Sequence, residues 1–216
     1  MIDLAQAVIF FALFFLVCGP VHEYAHAFTA WRLGDGTAKL FGRVSLDPIV
    51  HFDPMGGMLL VVSVLLSGGS FGFGWAKPTP VNPYNLRGRY ANAKVALAGP
   101  LSNLVLAAAF AVGFRILWSN GIGPDETSGI NMLQKVFFTG VSLNLVLMIF
   151  NLLPVAPLDG SHVLIDVLDP RTAREVGQFM DQYALFILIA VVLLASRIIS
   201  PVLNPLISLL IGVPVS

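Results

Sequence analysis

Val21-His22-Glu23-Tyr24-Ala25-His26-Ala27 stands just beyond a strongly apolar run, Ile2 to Val17. The run sets the class of the chain, and the motif H-E-x-x-H at its end sets the chemistry. On a helix, residues four apart share a face, so His22 and His26 can reach one metal ion together. Glu23 is too close in sequence to His22 to be a third ligand of the same geometry, but it is placed to hold a water on that metal. The competing reading is two buried histidines and a paired glutamate in a helix. Ionisable side chains at membrane depth are costly and are usually functional, which favours the metal.

Composition agrees with a membrane setting. Of 216 residues, 56% are hydrophobic and 11% charged, where a soluble domain carries about 25% charged residues. The mean hydropathy is +0.84. The expected class is an all-α polytopic membrane protein with about four to six transmembrane helices and a short membrane-associated β or re-entrant segment after the first helix. The net charge of zero argues against a nucleic-acid partner. The single cysteine, Cys18, excludes an internal disulfide and reads as a small buried hydrophobe. The N-terminal apolar run lacks a basic n-region, and cleavage near Cys18 would detach the helix that feeds the motif, so it is taken as retained.

Outward from the motif, residues 3–32 read as one helix of about 45 Å, enough to cross a bilayer and emerge. Leu33-Gly34-Asp35-Gly36 stops it. Residues 37–47 carry Lys39 and Arg43 without helical period and predict a short strand or hairpin, closed by Asp47-Pro48. Residues 55–74 begin with Gly56-Gly57 and end in an aromatic, glycine-rich stretch. They are short for a simple span and suit a re-entrant hairpin or a tilted helix. Lys77 to Pro83 is set extended by its prolines. Spans follow at 91–118 and 133–153, separated by a polar loop at 119–131. Pro154 and Pro157 break the chain before a short helix at 161–168 and a charged loop at 169–178. A fourth span covers 179–199, and 201–213 reads as an interfacial tail. The whole is expected to be one domain, 1–216, with its core over roughly 3–168 and the extra helix and tail at 179–216.

Charge decides the ambiguous piece. If 55–74 is re-entrant, nine of the twelve Lys and Arg fall on one side and leave only Arg115, Lys135 and Arg197 on the other. Full crossing splits them evenly, which fits the positive-inside rule less well. The re-entrant topology also places the second halves of the first and third spans, with His22/His26 and Asp159, at one depth.

A catalytic zinc site keeps three protein ligands and an open position. Asp159 is the best candidate for the third, because prolines and a glycine flank it where an apolar span ends. Its alternative is to cap the short helix near Ser161. His51 reads as a loop histidine beside Asp53, with gating or support of the site as the alternative. His162 is explained as well by helix-start polarity as by facing the metal. Asn103 reads as interhelical hydrogen bonding, with steadying of the site as the lesser reading. Asn144 is packing glue or site lining, and Gly99-Pro100 permits close helix approach or a kink.

Three segments in order carry a resemblance: His22-Glu23-Tyr24-Ala25-His26, Ala98-Gly99-Pro100-Leu101-Ser102-Asn103, and Asn151-Leu152-Leu153-Pro154 running on to Pro157-Leu158-Asp159-Gly160. With Phe73 to Pro78 and Val81-Asn82-Pro83, the chain resembles the site-2 protease family of intramembrane zinc metalloproteases over roughly residues 15–168. It looks like a compact bacterial-type member without a PDZ or CBS domain. The resemblance implies that His22, His26 and Asp159 bind one Zn2+ per chain and that Glu23 is the base. It also implies that Asn151 helps hold the substrate carbonyl or oxyanion.

The expected activity is hydrolysis of peptide bonds in or near transmembrane segments. The expected partners are a transmembrane-helix protein substrate, the lipid bilayer and a regulatory membrane partner. The expected location is the cell membrane, multi-pass, with the site opening towards the cytoplasmic side. An extended substrate could add to a strand edge near 37–47. The competing classes are a metal transporter or sensor using the same ligands, and an inactive protease-like scaffold.

Overall fold

The computed structural model describes residues 4–66, 72, 74–119 and 129–214. The expected loop at 119–131 falls mostly outside the described residues, as do Ser67 to Phe71 and Phe73. Nine α-helices are described: α1 (Leu4–Leu13), α2 (Gly19–Arg32), α3 (Thr37–Leu40), α4 (Pro48–His51), α5 (Pro54–Leu66), α6 (Ala91–Ser119), α7 (Gly129–Asn151), α8 (Asp159–Val167) and α9 (Pro170–Ile211). By length and composition, four stretches can cross a membrane: Gln6–Arg32, Ala91–Ser119, Met132–Asn151 and Pro170–Leu194. The α6 helix packs against α2, α7, α8 and α9.

The first span is continuous but not uniform. A π-helical turn, Phe14–Cys18, joins α1 to α2. Pro20 has no N–H to donate to the turn behind it, and the wider turn absorbs that loss immediately before the motif. The helix ends as Leu33-Gly34 predicts. Gly34, at φ 107°, donates to Trp31 O and Asp35 N to Ala30 O, a paired closure that a left-handed glycine permits.

Among the described residues there is no strand, so the strand or hairpin expected at 37–47 is replaced by one turn of helix at Thr37–Leu40 followed by turn and irregular backbone. Two local signals account for it. The carboxylate of Asp35 accepts from Thr37 N (3.1 Å) and Thr37 Oγ1 (2.6 Å), which starts a turn. Gly42, at φ 71°, closes that turn with the same paired bonds that end α2. The β alternative for the segment after the first helix is likewise corrected, because none of its described residues forms a strand. Residues 54–66 form one helix, and Gly72, Gly74 and Trp75 lie back along it. A Cβ on Gly72 would strike Val64, one on Gly74 would strike Leu60 and Gly56 O, and one on Gly56 would strike Trp75 O. The glycines are there because helix and returning chain touch through backbone.

Two further expectations change at the C-terminal end. The charged stretch 169–178 is not a loop but the start of α9, where Asp169 accepts from Arg171 N and Thr172 N and Pro170 takes the first helical position. The tail expected at 201–213 continues the same helix through Pro201 and Pro205. Ile207 and Ile211 pack into a cluster with Ala107, Phe114, Val141 and Leu145, and that burial outweighs the two missing backbone bonds. Towards its start α9 presents Phe179, Phe186 and Leu193 outward, as a lipid-facing helix does.

Asp35 ties the molecule together beyond α3. It is fully enclosed (0% exposed) and also accepts from Asn82 N (2.7 Å) and Asn85 Nδ2 (3.1 Å). Burial pushes its pKa up, but the hydrogen bonds from Thr37, Asn82 and Asn85 outweigh burial and hold it below the ordinary 3.8. Its contribution to stability is therefore complete above that value and fades as the pH falls through the lower folded value. Asp35→Ala should cost about 2 kcal/mol or more at neutral pH, because several N–H groups lose their acceptor. Thermal melts in detergent should show the gap between wild type and variant narrowing as the pH falls below 3.8. A gap independent of pH would contradict the ionised clamp.

Candidate metal centre

The motif folds as its spacing requires. His22 and His26 lie on one face of α2, both buried, and their Nε2 atoms are 3.0 Å apart. Asp159 opens α8, and its Oδ2 lies 3.3 Å from each of those nitrogens. Asp159 is not the cap of its helix; extended Leu158 holds that position. Gly160 explains how the carboxylate is seated, because a Cβ there would come within 2.3 Å of Leu152 O and 2.4 Å of Leu153 O. The start of α8 therefore lies directly on the end of α7.

His26 Nδ1 is 2.7 Å from Val95 O, a group that can only accept, so Nδ1 carries the proton and Nε2 of the neutral ring carries a lone pair. His22 Nδ1 faces Asn103 Oδ1 at 2.6 Å. Asp159 Oδ2 is buried without a hydrogen-bond partner. Acceptor atoms thus converge on one point, an arrangement that needs a cation between them. Their separations, 3.0 to 3.3 Å, are close to the edge of about 3.3–3.5 Å set by tetrahedral bonds of about 2.0–2.2 Å, so the donor set fits zinc. Among the described residues this is the group of His, Cys, Asp and Glu side chains able to hold a metal.

Close helix contact makes the cluster. A Cβ on Gly99 would lie 2.3 Å from His26 Nε2 and 2.6 Å from His22 Cε1, so α6 crosses α2 where it has no side chain. Glu23 is outside the metal-ligand group. Its Oε2 accepts from Thr79 N at 2.9 Å, and Thr79 Oγ1 donates to Glu23 O at 3.1 Å. No motif singles out Thr79 in the sequence, yet its flanking prolines, Pro78 and Pro80, are a signal. They hold the backbone extended and leave the N–H free for a side chain.

The cluster faces a cavity of about 670 Å³ lined also by Glu23, Thr79, Asn151, His162, Leu185 and Leu188. Asn151 donates through Nδ2 to Leu147 O on its own helix. His162 lines the cavity outside the metal-ligand group. His51 is away from it, 1% exposed, with Nε2 2.7 Å from Ser45 O. Cys18 is buried, as expected of a small hydrophobe.

The family model described as peptidase family M50 matches residues 10–125 and 119–195. A Bacillus subtilis (strain 168) protein named "Putative zinc metalloprotease YwhC" is 38% identical over 192 residues, 88% of this chain and 83% of that protein. "Putative zinc metalloprotease Rip2" of Mycolicibacterium smegmatis is 33% identical over 192 residues, 85% of this chain and 64% of its own length. A Methanocaldococcus jannaschii protein named "Putative zinc metalloprotease MJ0611" is 37% identical over 73 residues, 34% of this chain and 33% of that protein. No solved structure matches the chain.

Proposed function

The chain belongs to peptidase family M50 and is a multi-pass membrane protein, and we propose that it is an intramembrane zinc endopeptidase acting on the transmembrane segments of other membrane proteins. The observation that carries this reading is the convergence of His22, His26 and Asp159, from motifs far apart in sequence, beside Glu23 in one cavity.

In this reading His22, His26 and Asp159 hold the zinc. Bound there, zinc supplies Lewis acidity and brings the pKa of a water towards neutrality. Glu23 takes a proton from the attacking water and returns it to the departing amine nitrogen. The Thr79 N–H fixes the orientation of the Glu23 carboxylate, so the other oxygen is free for the proton. Asn151, at the cavity wall, offers its remaining amide hydrogen to the substrate carbonyl oxygen.

The apolar wall around Leu185 and Leu188 suits a membrane-embedded substrate. The cavity has room for a few residues of unwound chain and not for an intact helix about 10–12 Å across. The basic side of the protein faces the cytoplasm in this reading, the site opens to that side of the cell membrane, and a regulatory membrane partner controls access.

The test is reconstitution. The purified chain and a single-span substrate protein are placed in vesicles, and cleavage is followed by mass. Cleavage should stop on adding a strong zinc chelator and return when zinc is restored. Cleavage indifferent to chelation would refute the zinc mechanism.

A further inference from the structure

Asn103 and Asn144 lie on α6 and α7, both fully enclosed, and their hydrogen bonds run in one direction. Asn144 Nδ2 is 2.8 Å from Gly140 O, one turn back on its own helix. A carbonyl can only accept, so that end of the Asn144 amide is the NH2. The same nitrogen is 3.2 Å from Cys18 Sγ, which takes its second hydrogen. Asn144 therefore turns Oδ1 towards Asn103, which donates to it through Nδ2 at 2.8 Å. Asn103 in turn faces His22 Nδ1 with Oδ1, at 2.6 Å. An amide oxygen accepts, so His22 Nδ1 must carry the hydrogen and Nε2 the lone pair.

If the Asn103 amide flipped, its NH2 would face His22 Nδ1 and require the lone pair there. The ring proton would move to Nε2, which points at Asp159 and His26. His26 has a backbone carbonyl to fix its tautomer, whereas His22 has only this side-chain relay.

We infer that Asn144, acting through Asn103, fixes His22 in the tautomer that can ligate metal, so that a residue on another helix sets the affinity of the centre. The inference rests on the proposed metal site and adds positioning residues to it. The competing account is that both asparagines are interhelical glue. That account predicts lost stability without a specific change in metal binding.

The experiment measures the zinc affinity of the full chain in detergent by competition with a chromophoric chelator. Asn144→Ala frees the Asn103 amide to flip, and affinity should fall about 10-fold, as on losing a partner behind a metal-bound histidine. Asn144→Asp is isosteric, keeps an oxygen where Oδ1 accepts from Asn103, and should hold affinity within about threefold of wild type. Asn103→Asp presents only acceptors to His22, whatever residue 144 does. In that background Asn144→Ala should change affinity less than about twofold. If Asn144→Ala does not fold, Asn144→Val, which keeps more of the volume, carries the same expectation. Wild-type affinity in Asn144→Ala, or an equal loss in both backgrounds, overturns the relay. A wild type that binds no zinc overturns the metal site first and the relay with it.

Discussion

Glu23→Gln is expected to abolish cleavage and leave zinc in place. Glutamine keeps the shape and an amide oxygen for the Thr79 N–H, so the local geometry survives. What it removes is the capacity to accept a proton from water and pass it to the leaving nitrogen. A positioned base contributes about 10²- to 10⁴-fold, so the loss should be at least about 100-fold. Zinc content should be unchanged, since Glu23 is not one of the converging ligands. The variant also separates classes of function, because a metal transporter or a retaining scaffold would keep most of its activity without this proton acceptor. Cleavage at the wild-type rate would remove Glu23 from the mechanism.

Gly99→Ala is expected to destroy the metal centre with a single added methyl group. On helix propensity alone the change favours folding by about 0.8–1.0 kcal/mol. The steric term opposes it, since the new Cβ would meet His26 Nε2 at 2.3 Å and ring atoms of both histidines at 2.6 Å. Neither ring is free to retreat, because His26 is tied to Val95 O and His22 to Asn103. Either the helices separate or the rings turn, and either disperses the ligand atoms. Zinc affinity should fall by about two orders of magnitude while the helical content persists, which zinc titration and circular dichroism would show together. Tight zinc binding in Gly99→Ala would mean that α6 does not press on the histidines.

The sequence made some of this legible and hid the rest for physical reasons. His22 and His26 are one helical turn apart, so local spacing was enough to pair them. Asp159 lies far along the chain, and its local surroundings fitted a helix cap equally well. Only the resemblance to known proteases chose between the two readings, and in the structure Leu158 holds the cap position. Asn103 and Asn144 sit on apolar helices where a lone amide signals burial but not its partner. Their meeting behind His22 is a product of packing between helices. Residues 37–47 lack a helical period, which predicts a hairpin, but two local signals, the Asp35 carboxylate and left-handed Gly42, outweigh it. The charged side chains at 169–178 mask the start of α9, although Asp169-Pro170 is itself a helix-start signal.

On the proposed reading, motifs more than a hundred residues apart form one zinc site. The most direct test of that reading is the zinc content per chain of purified wild type and Asp159→Ala, prepared without chelator. One zinc per wild-type chain, lost or greatly weakened in the variant, is the predicted result. A wild type without zinc, or zinc held as tightly without the Asp159 carboxylate, would contradict it.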